Sequence, residues 1–359
     1  MQTIGVSPAT ARSKILVIRR DNIGDLILTT PLIHALRQRF PEAWIGALVN
    51  SYNARVLDTN ADLNEVFVYT KAKHRGSGSA LSAYWSTLSL IIRLRKLRVD
   101  YAILASPAAS SKAQMFARRI NARTIVGFGD CADPEFRLKA GPAGGPHEVD
   151  EVFRIARFFG IEGPPPKTAV FVNPGEIAQA RDKVMKLLPA NCKLIGIHIS
   201  ARKPKQRWPA ERFVELVSKL SVHRPDLAFV LLWSPGALDN PTHPGDDAKA
   251  KQILQQLDGV PVVGFPTPTL SELFAGLATC QTVICSDGGA MHVAAALGKP
   301  ILCFFGDSDA RKWHPWDVPY RLLQSKSEDV SDISVGQVIE RFQELQAAMR
   351  PFEQSKTVT

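Results

Sequence analysis

VICSDGGAMHVAAALGKPILCFFGDSD, residues 283–309, is the stretch that decides the fold. Its first three residues are apolar and predict a buried strand, and the apolar run 301–305 predicts a second strand. Between them, a Ser-Asp-Gly-Gly turn leads into the small, apolar segment 290–297, which predicts a packed helix that ends at Gly-Lys-Pro. The stretch therefore predicts a strand–helix–strand unit whose helix begins at two glycines.

The turn of this unit allows two interpretations. Because Gly288 and Gly289 have no Cβ, backbone N–H groups and the positive end of the helix can approach an anion closely. Glycines at this position are also common in α/β proteins simply because they form the turn. His292, one turn into the helix, is likewise either a packed or capping residue or a contact to a ligand. The pattern alone leaves both interpretations open.

Apolar runs and helical periodicity alternate through both halves of the chain. In the first half, strands are predicted at 14–19, 44–49, 65–69, 101–105 and 124–128, and helices at 26–40, 80–97 and 147–160. In the second half, strands are predicted at 193–199, 228–233 and 261–263, and helices at 209–221, 246–257 and 270–278. Residues 71–79 and 129–147 have no period and are predicted as loops. The pattern predicts the α/β class, with parallel, doubly wound sheets.

A proline run at 163–166 divides the two halves. We predict a first Rossmann-like domain over 14–165, a linker region over 166–190 and a second Rossmann-like domain over 191–335. A last helix, 336–352, is expected to pack back onto the first domain. Two such domains would face each other across a cleft at the carboxyl ends of their strands, which is where open α/β sheets bind ligands.

The composition is that of a folded chain with an excess of positive charge. At 359 residues and 45% hydrophobic, the chain can bury two cores of ordinary size. Its 44 Lys and Arg residues against 34 Asp and Glu residues give a net charge of +10. Such a charge favours an anionic partner, which could be a nucleotide, a phosphorylated glycolipid, an acidic membrane surface or a nucleic acid.

The cysteines and the hydropathy indicate a cytoplasmic protein. No two cysteines form a C-x-x-C pair, and Cys285 and Cys303 stand inside apolar runs, so we expect small buried hydrophobes rather than disulfides or metal ligands. The cysteines are Cys131, Cys192, Cys280, Cys285 and Cys303. The first twelve residues lack the apolar core of a signal peptide, and the sequence has no apolar run of 18 residues. Peripheral association with the cytoplasmic face of the inner membrane is a further expectation.

Asp25 is the first candidate for chemistry. It directly follows Gly24 after the first strand and opens the first helix. One interpretation is an N-cap aspartate, which stabilises the helix by about 1 kcal/mol. The other is a carboxylate at the ligand edge of the sheet that takes a proton from an incoming hydroxyl. The position alone does not choose between them.

The second candidate is the loop that follows the first strand of the second domain, within IHISARKPKQRWP, residues 197–209. It carries one hydroxyl and four cations, namely Ser200, Arg202, Lys203, Lys205 and Arg207. Lys203 is interpreted as a solvated surface residue. Since this loop and the glycine turn both lie at carboxyl ends of strands, they can face the same anion. Basic groups and helix-end N–H groups there could stabilise a departing diphosphate without a metal ion.

Several other chemistries lack their motifs. The sequence has no G-x-x-x-x-G-K-[ST] loop, no G-x-G-x-x-G after the first strand, no G-x-S-x-G and no H-E-x-x-H. ATPase, dehydrogenase, esterase and zinc protease functions therefore have little support. Asp307 and Asp309 follow a strand and could imitate a metal-binding pair, but we predict a turn and no metal site. The sequence has no recognised nucleic-acid-binding module either, so we expect no nucleic-acid partner.

Four segments together resemble glycosyltransferase family 9, the ADP-heptose:lipopolysaccharide heptosyltransferases. These segments are RRDNIGDLILTTPLIHALRQRFPEAWI (19–45), RWPAERFVEL (207–216), LSELFAGLATC (270–280) and SDGGAMHVAAALGKPILCFFGDSDARKWHPW (286–316). The resemblance covers about residues 14–345 in the same order. It is specific for the family and less so for the acceptor.

The resemblance implies a GT-B fold and metal-independent transfer of a heptose, with inversion, from a nucleotide-sugar donor to a phosphorylated glycolipid, the lipopolysaccharide core precursor. It implies no cofactor besides the donor. Asp25 would be the general base, with Arg20, Asn22 and Gly24 on the acceptor side. The donor would be held by Ser200, Arg202, Lys205, Arg207, Asp287, Gly288, Gly289 and His292.

The sequence departs from the family pattern at several places. The family usually has Ser or Thr at the position of Gly288, Pro at that of Ala290 and Lys at that of Gln206, for which Lys205 is a possible substitute. Residues 236–246 form a longer loop than usual at a place that could touch the nucleotide. These departures leave two alternatives open. One is a GT-B transferase or epimerase with a UDP or GDP donor, and the other is a non-catalytic relative that binds nucleotides or glycans.

Overall fold

Runs of branched aliphatic residues form the strands of two parallel sheets. The structure, a computed structural model, describes residues 9–69, 80–107, 111–129, 136–139, 147–240 and 244–356. The chain divides into two compact units, Met1–Phe171 (unit 1) and Val172–Thr359 (unit 2). Within the described residues, each unit contains one sheet of six parallel strands. The central strands of both sheets are buried on both faces, so their sequences are largely apolar rather than alternating.

Unit 1 has the strand order β3-β2-β1-β4-β5-β6. Its elements in chain order are β1 (Lys14–Ile18), α1 (Ile23–Ile27), α2 (Thr30–Arg39), β2 (Trp44–Asn50), β3 (Glu65–Tyr69), α3 (Ala80–Leu97), β4 (Tyr101–Leu104), α4 (Ser111–Arg119), β5 (Thr124–Gly129), β6 (Phe136–Lys139) and α5 (Glu148–Phe153), with 3₁₀ helices at Ala54–Leu57 and Arg154–Phe159. The chain winds outward from β1 in one direction and then from β4 in the other, so the winding reverses between these two strands.

Unit 2 repeats this winding with the strand order β12-β11-β10-β7-β8-β9. Its elements are α6 (Pro174–Met185), β7 (Lys193–His198), α7 (Ala210–His223), β8 (Leu227–Trp233), α8 (Asp247–Gln256), β9 (Val262–Pro266), α9 (Leu270–Thr279), β10 (Thr282–Ser286), α10 (Gly289–Ala296), β11 (Ile301–Phe305), α11 (Ala310–Trp313), β12 (Tyr320–Gln324) and α12 (Val335–Lys356), with 3₁₀ helices at Pro204–Gln206 and Val330–Asp332. Here the winding reverses between β7 and β10. The predicted class of two doubly wound α/β units is confirmed.

The first predicted helix of unit 1 is in fact two helices. The sequence predicts one helix over 26–40, but α1 ends at Ile27 and α2 begins at Thr30. The physical cause is Pro31, which has no N–H to donate to the carbonyl of Ile27. The Thr30 hydroxyl donates to that carbonyl instead, at 2.7 Å, so the break leaves no buried acceptor unsatisfied.

Short elements account for the other differences in unit 1. The predicted loop 129–147 is wrong in part, since Phe136–Lys139 forms edge strand β6 beside β5. Sequence reasoning also placed no helix at α4, and the predicted helix 147–160 continues from α5 as a 3₁₀ helix. β6 has only four residues, two of them basic, and α4 has only nine, so neither pattern stands out from the neighbouring loops. The predicted loop 71–79 lies outside the described residues.

In unit 2, helix α6 lies within residues 166–190, the predicted linker. Asn173 caps it by accepting from the Gly175 N–H at 2.8 Å, and the helix packs against α9. The C-terminal helix α12 packs against α7, β11 and β12 of its own unit. The predicted domain limits and the contact of the last helix with the first domain stay predictions.

The buried cysteines behave as small hydrophobes. Cys285 and Cys303 face no solvent inside β10 and β11, and Cys280 is buried at the end of α9. Burial raises the pKa of the Cys285 and Cys303 thiols, so both stay protonated at neutral pH. Cys131 lies outside the described residues. No helix in the described part of the chain is long and apolar enough to cross a membrane.

Trp208, the aromatic residue of the R-W-P segment, anchors the core of unit 2. Its ring is buried and packs edge-on against Phe213 and at a tilt against Phe304. Its indole N–H donates to the carbonyl of Ile333 at 2.9 Å. The residue therefore fixes the polar loop that precedes it onto the core.

We predict that Trp208→Phe lowers the free energy of unfolding of the chain by about 2 kcal/mol, because a cavity opens and the Ile333 carbonyl loses its donor. Denaturant unfolding measures the effect. Phe213→Leu is the matched control, because it removes a buried aromatic ring but no hydrogen bond. A Trp208→Phe variant as stable as the original chain would contradict the anchoring role.

Candidate functional site

Each unit carries a polar cluster where the winding of its sheet reverses. Such reversal points leave a crevice outside the carboxyl ends of the strands, and ligands of open α/β sheets bind there. In unit 1 the crevice lies beyond Ile18 and Leu104, which are paired in register on β1 and β4. In unit 2 it lies beyond His198 and Cys285, which are paired on β7 and β10.

The cluster of unit 1 is centred on Arg19, the first residue after β1. Its buried guanidinium bridges the reversal point, because it donates to the carbonyl of Ala105 directly after β4. The same group pairs with Asp25 at 2.8 Å and with the buried Glu148 at 2.9 Å, and its Nε lies 3.1 Å from Asp21. One arginine thus holds three carboxylates from two distant parts of the chain.

Asp25 is the third residue of α1, and its carboxylate is fixed on both sides. Oδ1 accepts from Arg19, while Oδ2 accepts from the backbone N–H and the side-chain amide of Asn22, each at 3.0 Å. The N-cap interpretation of Asp25 is therefore wrong, since Asn22 holds that position. The interpretation as a carboxylate at the ligand edge fits its place beyond β1.

The pKa of Asp25 lies below its ordinary value. Burial raises this pKa, but the charge of Arg19 and the hydrogen bonds from Asn22 and Arg19 outweigh burial and lower it. The carboxylate is therefore ionised throughout the neutral range. It is able to accept a proton and is held in one orientation.

Two of the three predicted acceptor-side residues belong to this cluster. Asn22 orients Asp25 directly, and Gly24 is buried inside α1. The guanidinium of Arg20 lies 4.3 Å from the centre of the ring of Tyr69, the last residue of β3. Asn22 and Gly24 thus position the carboxylate, and Arg20 does not belong to its hydrogen-bonded cluster.

The cluster of unit 2 joins three loops at the reversal point. The buried side chain of Gln206, just before the R-W-P segment, donates to Asp287 and to the Ser308 hydroxyl, each at 2.9 Å. Gly306 makes this contact possible, since a Cβ there would lie 2.5 Å from the carbonyl oxygen of Lys205. Gln206 therefore ties the basic loop to the glycine turn.

The glycine turn has the geometry that the sequence suggested. Gly288 caps α10 with a φ of +154°, a conformation that side-chain-bearing residues rarely adopt. Gly289 is the first residue of α10, so the earliest N–H groups of this helix lie next to Asp287. The His292 ring is buried one turn later, edge-on to Trp313 at 6.3 Å, which fits the packed interpretation of this residue.

Arg207 and Ser200 are two further polar residues of the loop that follows β7 at this crevice. Arg207 donates to the carbonyl of Ala201 at 2.6 Å and forms an ion pair with the buried Asp246. The Ser200 hydroxyl accepts from the N–H of Ser234, just beyond β8, at 2.9 Å. These two of the predicted donor-side residues therefore lie in the loop that follows β7, and contacts with backbone groups hold them in place.

Arg207 also lines a cavity of about 490 Å³ within unit 2. The wall includes the loop that the sequence marked as long, and its residues are Arg207, Gly236, Ala237, Leu238, Gly245, Asp246, Asp247, Ala248 and Lys249. Among the described residues, Oδ2 of the buried Asp246 has no hydrogen-bond partner. A cavity of this size with one unsatisfied carboxylate oxygen suits a small polar ligand.

Sequence reasoning did not predict a role for two basic residues of this region, the partly buried Lys249 in the cavity wall and the buried His198. The Lys249 ammonium donates to the carbonyls of Trp208 and Ile199 at 2.6 and 3.2 Å, and burial lowers its pKa to about 8 despite the charge of Asp246. Burial and the nearby Lys249 charge lower the pKa of His198 to about 4, so this imidazole is neutral at pH 7. Their helix and strand patterns look like ordinary amphipathic segments.

The remaining cations of the basic loop are exposed. Lys205 lies 3.7 Å from Glu328, and Lys203 lies 3.2 Å from Asp307, on the protein surface. Arg202 is exposed at the start of the loop. Asp309 caps α11 through the Arg311 N–H, which fits the predicted turn. Among the described residues, no three His, Cys, Asp or Glu side chains are grouped as metal ligands.

Gln206→Leu tests the link between the loops. We expect this variant to lower the free energy of unfolding by about 1–3 kcal/mol, because buried Asp287 loses a donor. For the nucleotide-sugar donor that the family resemblance implies, the variant should also raise KM more than it changes kcat, since the glycine turn loses its support. Steady-state kinetics and denaturant unfolding measure the two effects.

Gln252→Leu is a suitable control, because Gln252 is partly exposed and its amide donates to Glu211 at the surface. If Gln206→Leu and Gln252→Leu behave alike in both measurements, Gln206 does not tie the two loops together.

Comparison with known proteins places this geometry in context. The family model described as glycosyltransferase family 9 (heptosyltransferase) matches residues 87–340. Lipopolysaccharide heptosyltransferase 3 of Escherichia coli K12 is 24% identical over 312 residues, which is 82% of each chain. Lipopolysaccharide heptosyltransferase 2 of the same organism is 24% identical over 307 residues, 82% of this chain and 83% of that one.

Two solved structures have a similar fold. The family 9 glycosyltransferase of Veillonella parvula is 20% identical and superimposes with a TM-score of 0.79, over 95% of this chain and 99% of that one. The ADP-heptose lipopolysaccharide heptosyltransferase II of Escherichia coli is 21% identical, with a TM-score of 0.74 over 94% and 99% of the two chains. The predicted GT-B fold class is confirmed.

Proposed function

Because this chain belongs to glycosyltransferase family 9, the heptosyltransferase family, we propose that it transfers a heptose from ADP-heptose to the inner core of lipopolysaccharide. The observation that carries the proposal is the Asp25 carboxylate, ionised and fixed by Arg19 and Asn22 beyond β1. Because this carboxylate is ionised and held in place, it is able to accept the proton of a sugar hydroxyl as the hydroxyl oxygen attacks.

The proposed reaction is a single displacement. The acceptor hydroxyl gives its proton to Asp25, and its oxygen attacks the anomeric carbon of the heptose. The bond from that carbon to the diphosphate oxygen breaks, ADP leaves with the electron pair, and the configuration of the carbon inverts. Arg19 and Asn22 fill three of the roughly four acceptor positions of the Asp25 carboxylate. The acceptor hydroxyl would use the fourth.

The leaving diphosphate would be stabilised by unit 2. Its negative charge would meet the first N–H groups of α10 and the positive end of that helix. Arg207 and the Ser200 hydroxyl, both in the loop after β7, would add a charge and a donor. Lys205 and Arg202 are exposed and able to reach a bound phosphate from the solvent side. These groups would do the electrostatic work that a divalent cation does in other transferases.

The nucleoside part of the donor would occupy the cavity beside Arg207. Ribose hydroxyls are donors, and the unsatisfied Oδ2 of Asp246 is a buried acceptor in its wall. The acceptor is proposed to be the phosphorylated glycolipid of the lipopolysaccharide core, whose charge matches the basic chain. No cofactor besides the donor is proposed.

Thermal unfolding with ADP, UDP and GDP tests the donor. Since a ligand at about 100 times its Kd stabilises a protein by roughly 2.7 kcal/mol, ADP should raise Tm by several degrees and the other two by much less. A shift with UDP or GDP alone would favour the alternative of another nucleotide-sugar transferase or an epimerase. ADP binding without ADP release from ADP-heptose and a truncated core acceptor would favour a non-catalytic relative.

A further inference from the structure

The positive charge of the chain is concentrated in one segment of unit 1. Residues 66–129 contain a single acidic residue, Asp100, and eleven basic ones, so this segment alone has an excess of ten charges, the same as the whole chain. The basic residues are Lys71, Lys73, Arg75, Arg93, Arg95, Lys96, Arg98, Lys112, Arg118, Arg119 and Arg123. The first three lie outside the described residues and are not part of the surface considered below.

Helices α3 and α4 bring the charges of this segment together on one surface. Arg95 of α3 donates from its Nε to the carbonyl of Arg119 at the end of α4, at 2.6 Å, which joins the exposed faces of the two helices. Between them lies an open cavity of about 460 Å³, which is lined by Arg95, Ser111, Gln114, Met115, Arg118 and Arg119. Three guanidinium groups without an acidic residue in the wall make this cavity strongly cationic.

The same two helices expose large apolar side chains. Trp85 and Ile92 are 61% and 46% exposed, and they lie seven residues apart on α3, which places them on the same face. Met115 of α4 is 46% exposed and belongs to the cavity wall. The opposite face of α3 carries the buried Ile91 and Leu94, which pack into the core of unit 1. Trp85 and Ile92 therefore lie on the side of α3 that faces away from this core.

We propose that the outer faces of α3 and α4 are a docking surface for an anionic lipid bilayer. Exposed aromatic and aliphatic side chains beside arginine and lysine are the composition with which helices lie in the interface of a membrane. The arginines would meet lipid phosphates, while Trp85, Ile92 and Met115 would enter the boundary between head groups and acyl chains. The proposal rests on the proposed function only for its purpose, which is to bring the enzyme to a membrane-borne acceptor.

The test is binding of the full chain to vesicles, and it needs no sugar transfer. Phosphatidylcholine vesicles with and without phosphatidylglycerol are floated with the protein at low and high salt. The chain should bind the anionic vesicles at low salt and lose most of this binding at high salt. Each basic residue near an anionic surface strengthens binding roughly fivefold, so Arg118→Glu combined with Arg119→Glu should weaken it about 25-fold or more.

Three further variants complete the design. Arg118→Gln with Arg119→Gln avoids acidic charge at the end of α4 and should give a smaller but clear loss. Trp85→Ser with Ile92→Ser should reduce the binding that persists at high salt. Lys186→Glu with Lys251→Glu is the matched control, since it makes the same change in charge on exposed residues of unit 2, and it should stay within about threefold of the original chain.

The proposal is overturned if the original chain fails to bind anionic vesicles, or binds neutral ones equally well. It is also overturned if Arg118→Glu with Arg119→Glu and Lys186→Glu with Lys251→Glu weaken binding to the same extent. The net charge of the chain, and not this surface, would then account for the binding. Sugar transfer to a deacylated, water-soluble acceptor should be unchanged in the variant with Arg118→Glu and Arg119→Glu. That measurement separates failure of the docking surface from failure of the proposed reaction.

Discussion

Replacing Asp25 by asparagine is expected to lower kcat for sugar transfer about 100-fold or more, because the acceptor hydroxyl loses its general base. The amide is nearly isosteric and still offers an oxygen to Arg19 or Asn22, so the fold should persist. Donor binding should also persist, since the proposed donor site belongs to unit 2. Steady-state kinetics with a core acceptor and the rise of Tm with ADP measure the two properties separately.

Asp21→Asn is the matched control for this variant. Asp21 contacts the same arginine at 3.1 Å, but its side chain is 45% exposed. Its neutralisation should change kcat less than about threefold, in keeping with the small contribution of exposed ion pairs. Near-normal turnover of Asp25→Asn would remove Asp25 from the mechanism. If kcat falls equally in Asp25→Asn and Asp21→Asn, the total charge of the cluster, and not a base at Asp25, would account for the loss.

Arg19→Met is expected to destabilise the chain by about 3–5 kcal/mol, the largest effect on stability that we predict. Methionine fills a similar volume but leaves the buried Glu148 and the partly buried Asp25 without their cation. The double variant Arg19→Met with Glu148→Gln should recover part of the loss, because a neutral amide then replaces the deeply buried carboxylate. Arg93→Met is the control, since that arginine is 65% exposed in its pair with Glu65 and should cost at most about 1 kcal/mol.

The loss in Arg19→Met should depend on pH. In the original chain the pKa of Asp25 is lowered on folding, so the pairing stabilises the fold above the unfolded value of 3.8 and is lost as the pH falls through the lower, folded value. The difference in unfolding free energy between the two chains should therefore be full at pH 7 and shrink below about pH 4. Urea unfolding over this pH range measures it. A difference that is independent of pH would contradict the charge pairing.

The sequence was sufficient where an element has an unambiguous pattern, whether that element is a short apolar strand or a long helix. The apolar runs of β10 and β11 and the periodicity of α3 predicted those elements nearly to the residue. Sequence reasoning failed where few residues or one side chain decide the outcome. Pro31 breaks the first helix in two, and the four residues of β6 pair at a sheet edge inside an apparent loop.

The candidate site was predictable where its residues are adjacent in sequence. The glycine turn and the basic loop were found in this way, and both follow strands that end at the same edge of a sheet. The contacts that fix the site were not predictable, because they join distant residues. Glu148 meets Arg19 across 129 positions and Gln206 meets Asp287 across 81, and neither residue has a local signal. Arg19 lies inside the family-like segment, but the resemblance assigns the acceptor-side role to its neighbour Arg20 instead.

The most direct test of the account is mass spectrometry of a truncated lipopolysaccharide core acceptor after incubation with ADP-heptose and the original chain. The account predicts that the acceptor gains the mass of one heptose, that one ADP is released for each transfer, and that the new linkage has the opposite anomeric configuration to the donor. An acceptor that stays unmodified while ADP-heptose is bound, or a product with retained configuration, would contradict it.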